Sequence, residues 1–299
     1  MAKSVTWKGG AMDEFETHLA RADAGRARAV AATESPFTIE VRFLGGLSET
    51  QKAAFAAAAD RWARMIVGDL PDVAIPDVPE LPAGLTPGEA VDDIVILAQG
   101  AKIDGAGTPE GNILGQARPI LVRTGSRLPA VGTMTFDSFD LDRMEQSGLL
   151  HDVIAHEMGH ALGLGGGIWQ DLHLVEGLGT TDPVFTGARA REVFASLLGS
   201  AEPHVVPVEN VGGPGSAGSH WRESVFGAEL MTSRVGAGLG NPLSRLTVAA
   251  LGDMGYQVDM AAAEPYVLPS PLFLAEMRAA ALDATLFCGV SQEEPPGLI

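Results

Sequence analysis

The order of predicted elements, strands and helices mixed up to about residue 163 and mostly loops beyond it, predicts an α+β fold of two subdomains with a cleft between them. Two observations carry this. Apolar residues recur with strand and helix periods in the first half, while residues 163 to 220 turn rich in Gly, Pro and Val and show few helical stretches. A chain of 299 residues is long enough to bury a sizeable core in this arrangement. The expected division is an N-terminal extension (1–32), a main domain (33–269, split at about 164/165) and a C-terminal tail (270–299).

Residues 1 to 32 are Ala/Arg-rich and are expected to form a loosely attached helix. Phe37-Thr-Ile-Glu-Val-Arg-Phe43 alternates apolar and polar residues, the pattern of a strand. Ser48-Glu-Thr-Gln51 is a capping-box signature, and Phe55, Ala58, Trp62 and Met65 follow at helical spacing. Pro and Asp dominate the loop at 71–88. Strands are expected at Ile94–Leu97, around Ile113–Val122 and at Gly132–Phe136, then a helix over about Gln146–Leu162 stopped by Gly163. A short helix near Ala190–Leu198 precedes a last clear helix opening at Asn241-Pro242 and closing at Gly255. A tail helix at about Pro271–Phe287 leads into Glu-Glu-Pro-Pro, a composition that predicts disorder.

The net charge of −18, with four lysines among twenty basic residues, argues against nucleic acid and anionic membranes as partners. Cys288 is the one cysteine, which excludes an intramolecular disulfide and a cysteine-rich zinc site. The first residues lack the apolar core of a cleavable signal peptide, and no apolar run is long enough to span a membrane. Cytoplasmic residence is the default expectation, with export by a signal-peptide-independent route as the alternative.

His156-Glu157-Met158-Gly159-His160 is an HExxH motif on the expected helix. At about 100° per residue, His160 lies about 40° around the helix from His156 and one turn along it, so both imidazoles can reach one zinc ion. Glu157 falls beside that face, placed to hydrogen-bond a metal-activated water. Leu150, Ile154, Met158 and Ala161 form an apolar back to the same helix. Chance alone produces such a motif in about one chain in a hundred, and the blander reading is two surface histidines with an ordinary glutamate. The helical context favours the metal. A catalytic zinc needs a third protein ligand, and the residues by themselves leave His173, His204, His220 and downstream carboxylates open. His151 points elsewhere on the helix and reads as a surface residue.

HEMGHALG, with Gly163 after the second histidine, resembles the start of the metzincin signature HExxHxxGxxH. Gly166 stands where the third histidine of the compact signature would be, which excludes a simple matrixin or astacin pattern. The leishmanolysin-like branch carries an insertion at that point. Ser219-His220-Trp221, Glu229-Leu-Met-Thr232, Ser244-Arg-Leu-Thr247 and Asp253-Met-Gly-Tyr256 resemble that branch, as do IVILAQG and GTMTFDS. The similarity runs from about residue 36 to 269. It implies a zincin/metzincin-like fold: a twisted mixed sheet with two long helices, the active-site helix at the cleft, and an irregular C-terminal subdomain with a Met-turn and a final helix. It further implies His220 as third metal ligand after His156 and His160, and Met231 as the Met-turn residue beneath the metal. An edge strand near Ile113–Pro119 would hold an extended substrate by strand addition. Eukaryotic members use disulfides and a cysteine that silences the zymogen. With no cysteine before Cys288, that switch is excluded here.

The expected function is a zinc metalloendopeptidase acting on protein or peptide substrates, with one catalytic Zn2+ and Glu157 as general base and acid. Two rivals stand beside it: a catalytically silent zinc-containing binding or adhesion protein on the same scaffold, and another zincin class using Asp171 or Glu176 as third ligand. Asp137, Asp140 and Asp142 read as a strand end or helix cap before they read as a calcium site. Gly212-Gly-Pro-Gly215 lacks the strand-to-helix context of a phosphate loop. Trp169 and Trp221 read as packing residues, and Cys288 as a small buried one.

Overall fold

The computed structural model describes residues 15–103, 114–213, 215–236, 240–281 and 296–299. The expectations for Cys288, for most of the Glu-Glu-Pro-Pro run and for the first fourteen residues lie outside these. Elements in chain order are strand β1 (Glu16–Arg21), β2 (Thr38–Gly45), helix α1 (Glu49–Met65), β3 (Ile94–Ala101), β4 (Gly115–Val122) and β5 (Pro129–Asp137). Then come α2 (Ser138–Ser147), α3 (Leu150–Ala161), α4 (Ala188–Leu198), α5 (Arg245–Met254), α6 (Pro271–Ala281) and β6 (Gly297–Leu298). The main sheet has the order β1-β2-β3-β5-β4-β6. β2, β3 and β5 run parallel, β1 is antiparallel to β2, β4 is antiparallel to β5, and β6 is parallel to β4.

Both faces of the sheet are covered, so β5 is buried at every position. Alternation along β3 divides its side chains: Ile94, Ile96 and Ala98 join the large core with α1 and α3, while Val95 and Leu97 meet Ile75, Val91, Ala130 and Val131 on the other face. The capping box at the start of α1 forms as expected. Ser48 Oγ accepts from Gln51 N at 3.2 Å, and Gln51 Oε1 accepts from Ser48 N at 2.9 Å. Phe55, Ala58, Trp62 and Met65 are all buried by this helix. Trp62 then donates from Nε1 to the Ala155 carbonyl at 2.8 Å, which ties α1 to the middle of α3. At its far end α3 lies directly on the sheet, where a Cβ on Gly132 of β5 would stand 3.0 Å from Ala161 Cβ. Tyr256, just past α5, donates its hydroxyl to the Leu162 carbonyl at 2.9 Å and holds the helix end.

Three expectations are corrected. Residues 16–21 form an antiparallel edge strand on β2, and only a short helical stretch, Ala24–Ala31, follows. Alanine-rich helix propensity is worth a few tenths of a kcal/mol per residue, and a full ladder with β2 outweighs it. The helix expected over 146–162 is two helices. Gly148, at φ +74°, ends α2 in the left-handed region, and α3 starts at Leu150. The cap of α5 is Ser244, whose Oγ accepts from Leu246 N at 3.2 Å, three residues beyond Asn241. Asn241 instead donates to Asp152 Oδ2 at 2.8 Å, bridging to α3. Asp137 does cap α2, accepting from Phe139 N at 2.9 Å, and it also accepts from Ile103 N at 2.7 Å. Among the described residues no helix is long and apolar enough to cross a membrane.

Candidate metal centre

His156 and His160 lie on one face of α3, and His220 reaches them from a loop sixty residues further on. All three are buried, as is Glu157 on the same helical turn. The three Nε2 atoms form a nearly equilateral triangle with sides of 3.0, 3.1 and 3.1 Å. Nitrogens held at about 2.0–2.1 Å from one tetrahedral ion stand about 3.3 Å apart, so the triangle is of the size a single metal requires.

The outer nitrogens fix the tautomer of each ring. His156 Nδ1 donates to the Leu230 carbonyl at 2.7 Å, His160 Nδ1 to the Leu164 carbonyl at 2.7 Å, and His220 Nδ1 to the Ser216 carbonyl at 2.9 Å. A carbonyl can only accept, so each Nδ1 carries the proton and each Nε2 presents a lone pair to the same point. Three lone pairs converging at 3 Å repel each other unless a cation sits among them. Burial disfavours the protonated alternative, and neighbouring imidazoles add to it at His156 and His160. It pushes His156 down to about 3 and His220 to about 4, and His160 is also held well below the ordinary histidine value.

The approach of His220 is set by backbone contacts. Gly163, at φ +94°, turns the chain out of α3. Gly165 then passes so close to Ser219 that a Cβ would stand 2.4 Å from its carbonyl oxygen. On the other side, Glu209 N donates to the His220 carbonyl at 2.8 Å and Trp221 N to the Met231 carbonyl at 2.9 Å. The Glu209 carboxylate is itself buried and accepts from Asn210 N, Glu223 N and Ser233 Oγ at 2.9, 2.9 and 3.1 Å.

Met231 lies under α3 at the glycine between the motif histidines. A Cβ on Gly159 would meet the Met231 sulfur at 2.7 Å and the Trp62 ring at 2.9 Å, so the fourth residue of HEMGH must be the smallest. Gly159→Ala is expected to destabilise the chain by about 1–3 kcal/mol through overpacking. Denaturant unfolding of the metal-free protein measures this, and an unchanged midpoint would mean that the thioether and the indole move aside freely.

The family model for leishmanolysin matches residues 79–270. The chain belongs to the leishmanolysin family. This is a family of zinc metalloproteases. Leishmanolysin of Leishmania chagasi is 29% identical over 226 residues, covering 72% of this chain and 35% of that protein. Leishmanolysin of Leishmania donovani is 31% identical over 192 residues (61% and 30%), and that of Leishmania major 33% over 144 (46% and 23%). The chain thus spans no more than 35% of the length of these three leishmanolysins.

Within this leishmanolysin-like centre the rival third ligands stand apart. His173 and His204 are exposed, His204 near Ser200 Oγ at 2.9 Å, and Asp171 pairs with Arg127. His151 is exposed, as expected. Trp169 and Trp221 are buried and stack with centroids 5.0 Å apart, which makes them packing residues.

Residue-level reading missed the carbonyls of Leu164, Ser216 and Leu230, because backbone groups leave no mark in composition. It also missed Glu229. This buried carboxylate accepts from Met231 N, Ser244 Oγ and Thr247 Oγ1 at 2.6, 2.7 and 2.6 Å, joining the Leu230–Met231 turn to the start of α5. Burial pushes its carboxyl upward against the pull of those donors. Thr247 in turn accepts from Trp221 Nε1 at 2.8 Å, so one carboxylate links the supports of His156 and His220. Its signal is an acidic residue set directly before the apolar pair Leu230-Met231.

Beside the triad lies a cavity of about 540 Å³. His160, Gly163–Gly167, Glu209 and Gly218 line it, together with Arg118 and Pro119 of β4.

Proposed function

We propose that the chain is a zinc metalloendopeptidase in which His156, His160 and His220 hold one catalytic zinc ion and Glu157 moves the proton. The observation that carries this is the triangle of three buried Nε2 lone pairs, each fixed by an Nδ1–H donated to a carbonyl. When bound, zinc lowers the pKa of water to about 7 and polarises the scissile carbonyl. Glu157, on the same helical turn as both helix histidines, takes the proton of the attacking water and delivers it to the leaving amine. The three carbonyl acceptors keep the imidazoles neutral and aimed, so nothing must reorganise during turnover. Arg118 and Pro119 put the outer edge of β4 along the cavity, where an extended peptide can add as a strand.

The chain purified at neutral pH is expected to hold about one zinc and to cleave casein, with activity lost to a chelator and restored by zinc. Zinc without cleavage of casein or a broad peptide mixture would favour the silent binding protein, and no bound metal would sink the centre altogether.

Acid should act in the same sense. The histidines have lower pKa values folded than unfolded, so their contribution is present above about pH 6.5 and is lost as pH falls toward the folded values of about 3 to 4. The metal-free chain should lose stability across that window, by about 1.4 kcal/mol per pH unit for each proton that unfolding takes up. Unfolding measured at pH 8, 6 and 5 reads it, and a flat profile would contradict buried neutral imidazoles.

A further inference from the structure

The outer edge of β4 already has an occupant over part of its length. Gly297 and Leu298 pair with Leu121 and Val122 in parallel. Ile299 N donates to the Val122 carbonyl at 2.9 Å, and Thr124 donates to the Ile299 carbonyl from N at 2.6 Å and from Oγ1 at 2.9 Å. The Ile299 side chain, like that of Leu121, packs on the apolar cluster that includes Val95, Leu97 and Val131. Gly297 lies close against β4, where a Cβ would stand 3.0 Å from Leu121 Cδ2. Pro296 reaches the wall of the same cavity that His160, Arg118 and Pro119 line.

We propose that the edge of β4 is a docking strand for the chain's own segment Pro296–Ile299, which competes there with an extended substrate. This rests on the peptidase reading above. The physical basis is exclusion. An edge strand offers one set of outward N–H and C=O groups, and a second chain cannot pair with groups already taken. Tethering makes a weak segment sufficient, since a segment of the same chain acts at an effective concentration in the millimolar range. The segment takes the edge at Leu121–Thr124, and Pro296 carries it to the cavity where Arg118 and Pro119 lie, so an extended chain lying along Arg118 and Pro119 cannot continue along the edge past them. The segment also supplies a restraint on activity that needs no cysteine.

The test compares the zinc-loaded 299-residue chain with a variant lacking residues 296–299 and with Ile299→Pro, which removes the N–H given to Val122. Both changes are expected to lower KM for peptide cleavage about tenfold with kcat unchanged, the size of one or two net hydrogen bonds. A synthetic peptide ending Pro-Gly-Leu-Ile should inhibit the shortened chain competitively. Hydrogen exchange at the Thr124 amide should speed up in Ile299→Pro, a readout independent of activity. Equal KM in three active proteins would overturn the docking and leave the peptidase standing. If all three bind zinc and none cleaves or binds peptide, both readings fall.

Discussion

Glu157→Gln is expected to lower the rate of peptide cleavage by about 10³-fold while the protein keeps its zinc. The amide has the size of the carboxylate, so the buried site beside His156 and His160 stays filled and the helix unchanged. What is lost is the group that accepts the proton of the attacking water, an effect of about 10²–10⁴-fold for a positioned general base. The loss should fall on kcat, because the glutamine still fits the ground state. Zinc content measured on the same preparation separates this from a metal defect. A variant with full zinc and near-normal kcat would remove Glu157 from the mechanism.

His220→Ala should be almost as damaging, by another route. It removes one corner of a triangle whose other two lone pairs still face each other at 3.0 Å. Supporting residues around metal ligands are worth about 10–100-fold in affinity, and a ligand itself should exceed that. Zinc affinity is therefore expected to fall by more than about 10²-fold, with cleavage lost at ordinary zinc concentrations. His173→Ala, at an exposed position, should leave both unchanged. The reverse result, zinc kept without His220 and lost without His173, would refute the assignment. Since His220 also stacks on His156 with centroids 5.0 Å apart, unfolding of both metal-free variants controls for lost packing.

Local chemistry was readable in the chain. The capping box at Ser48 and Gln51, the buried positions of α1, the strands over Ile94–Leu97 and Gly132–Phe136, and the cap by Asp137 each depend on residues within a few positions of one another. The pairing of His156 with His160 belongs here too, because helix geometry sets the angle between residues four apart. Where a local preference met a stronger distant one, reading failed. Residues 16–21 have the composition of a helix and the structure of a strand, because β2 offers them a ladder. Asn241 has the form of a helix cap, but Asp152 on another helix claims its side chain.

The sequence by itself determined two of the triad histidines, the glutamate between them and the α+β class. Resemblance to the leishmanolysin branch pointed to His220, since residue spacing could not separate it from His173. Only the tertiary structure brought His220 to the other two, through the passage of Gly165 beside Ser219 and the backbone bonds from Glu209 N to the His220 carbonyl and from Trp221 N to the Met231 carbonyl. It alone showed why Gly159 is small and what Glu229 holds. The reason is physical. An i, i+4 pair is placed by one helix's own hydrogen bonds, whereas a residue sixty positions away is placed by the packing of everything between.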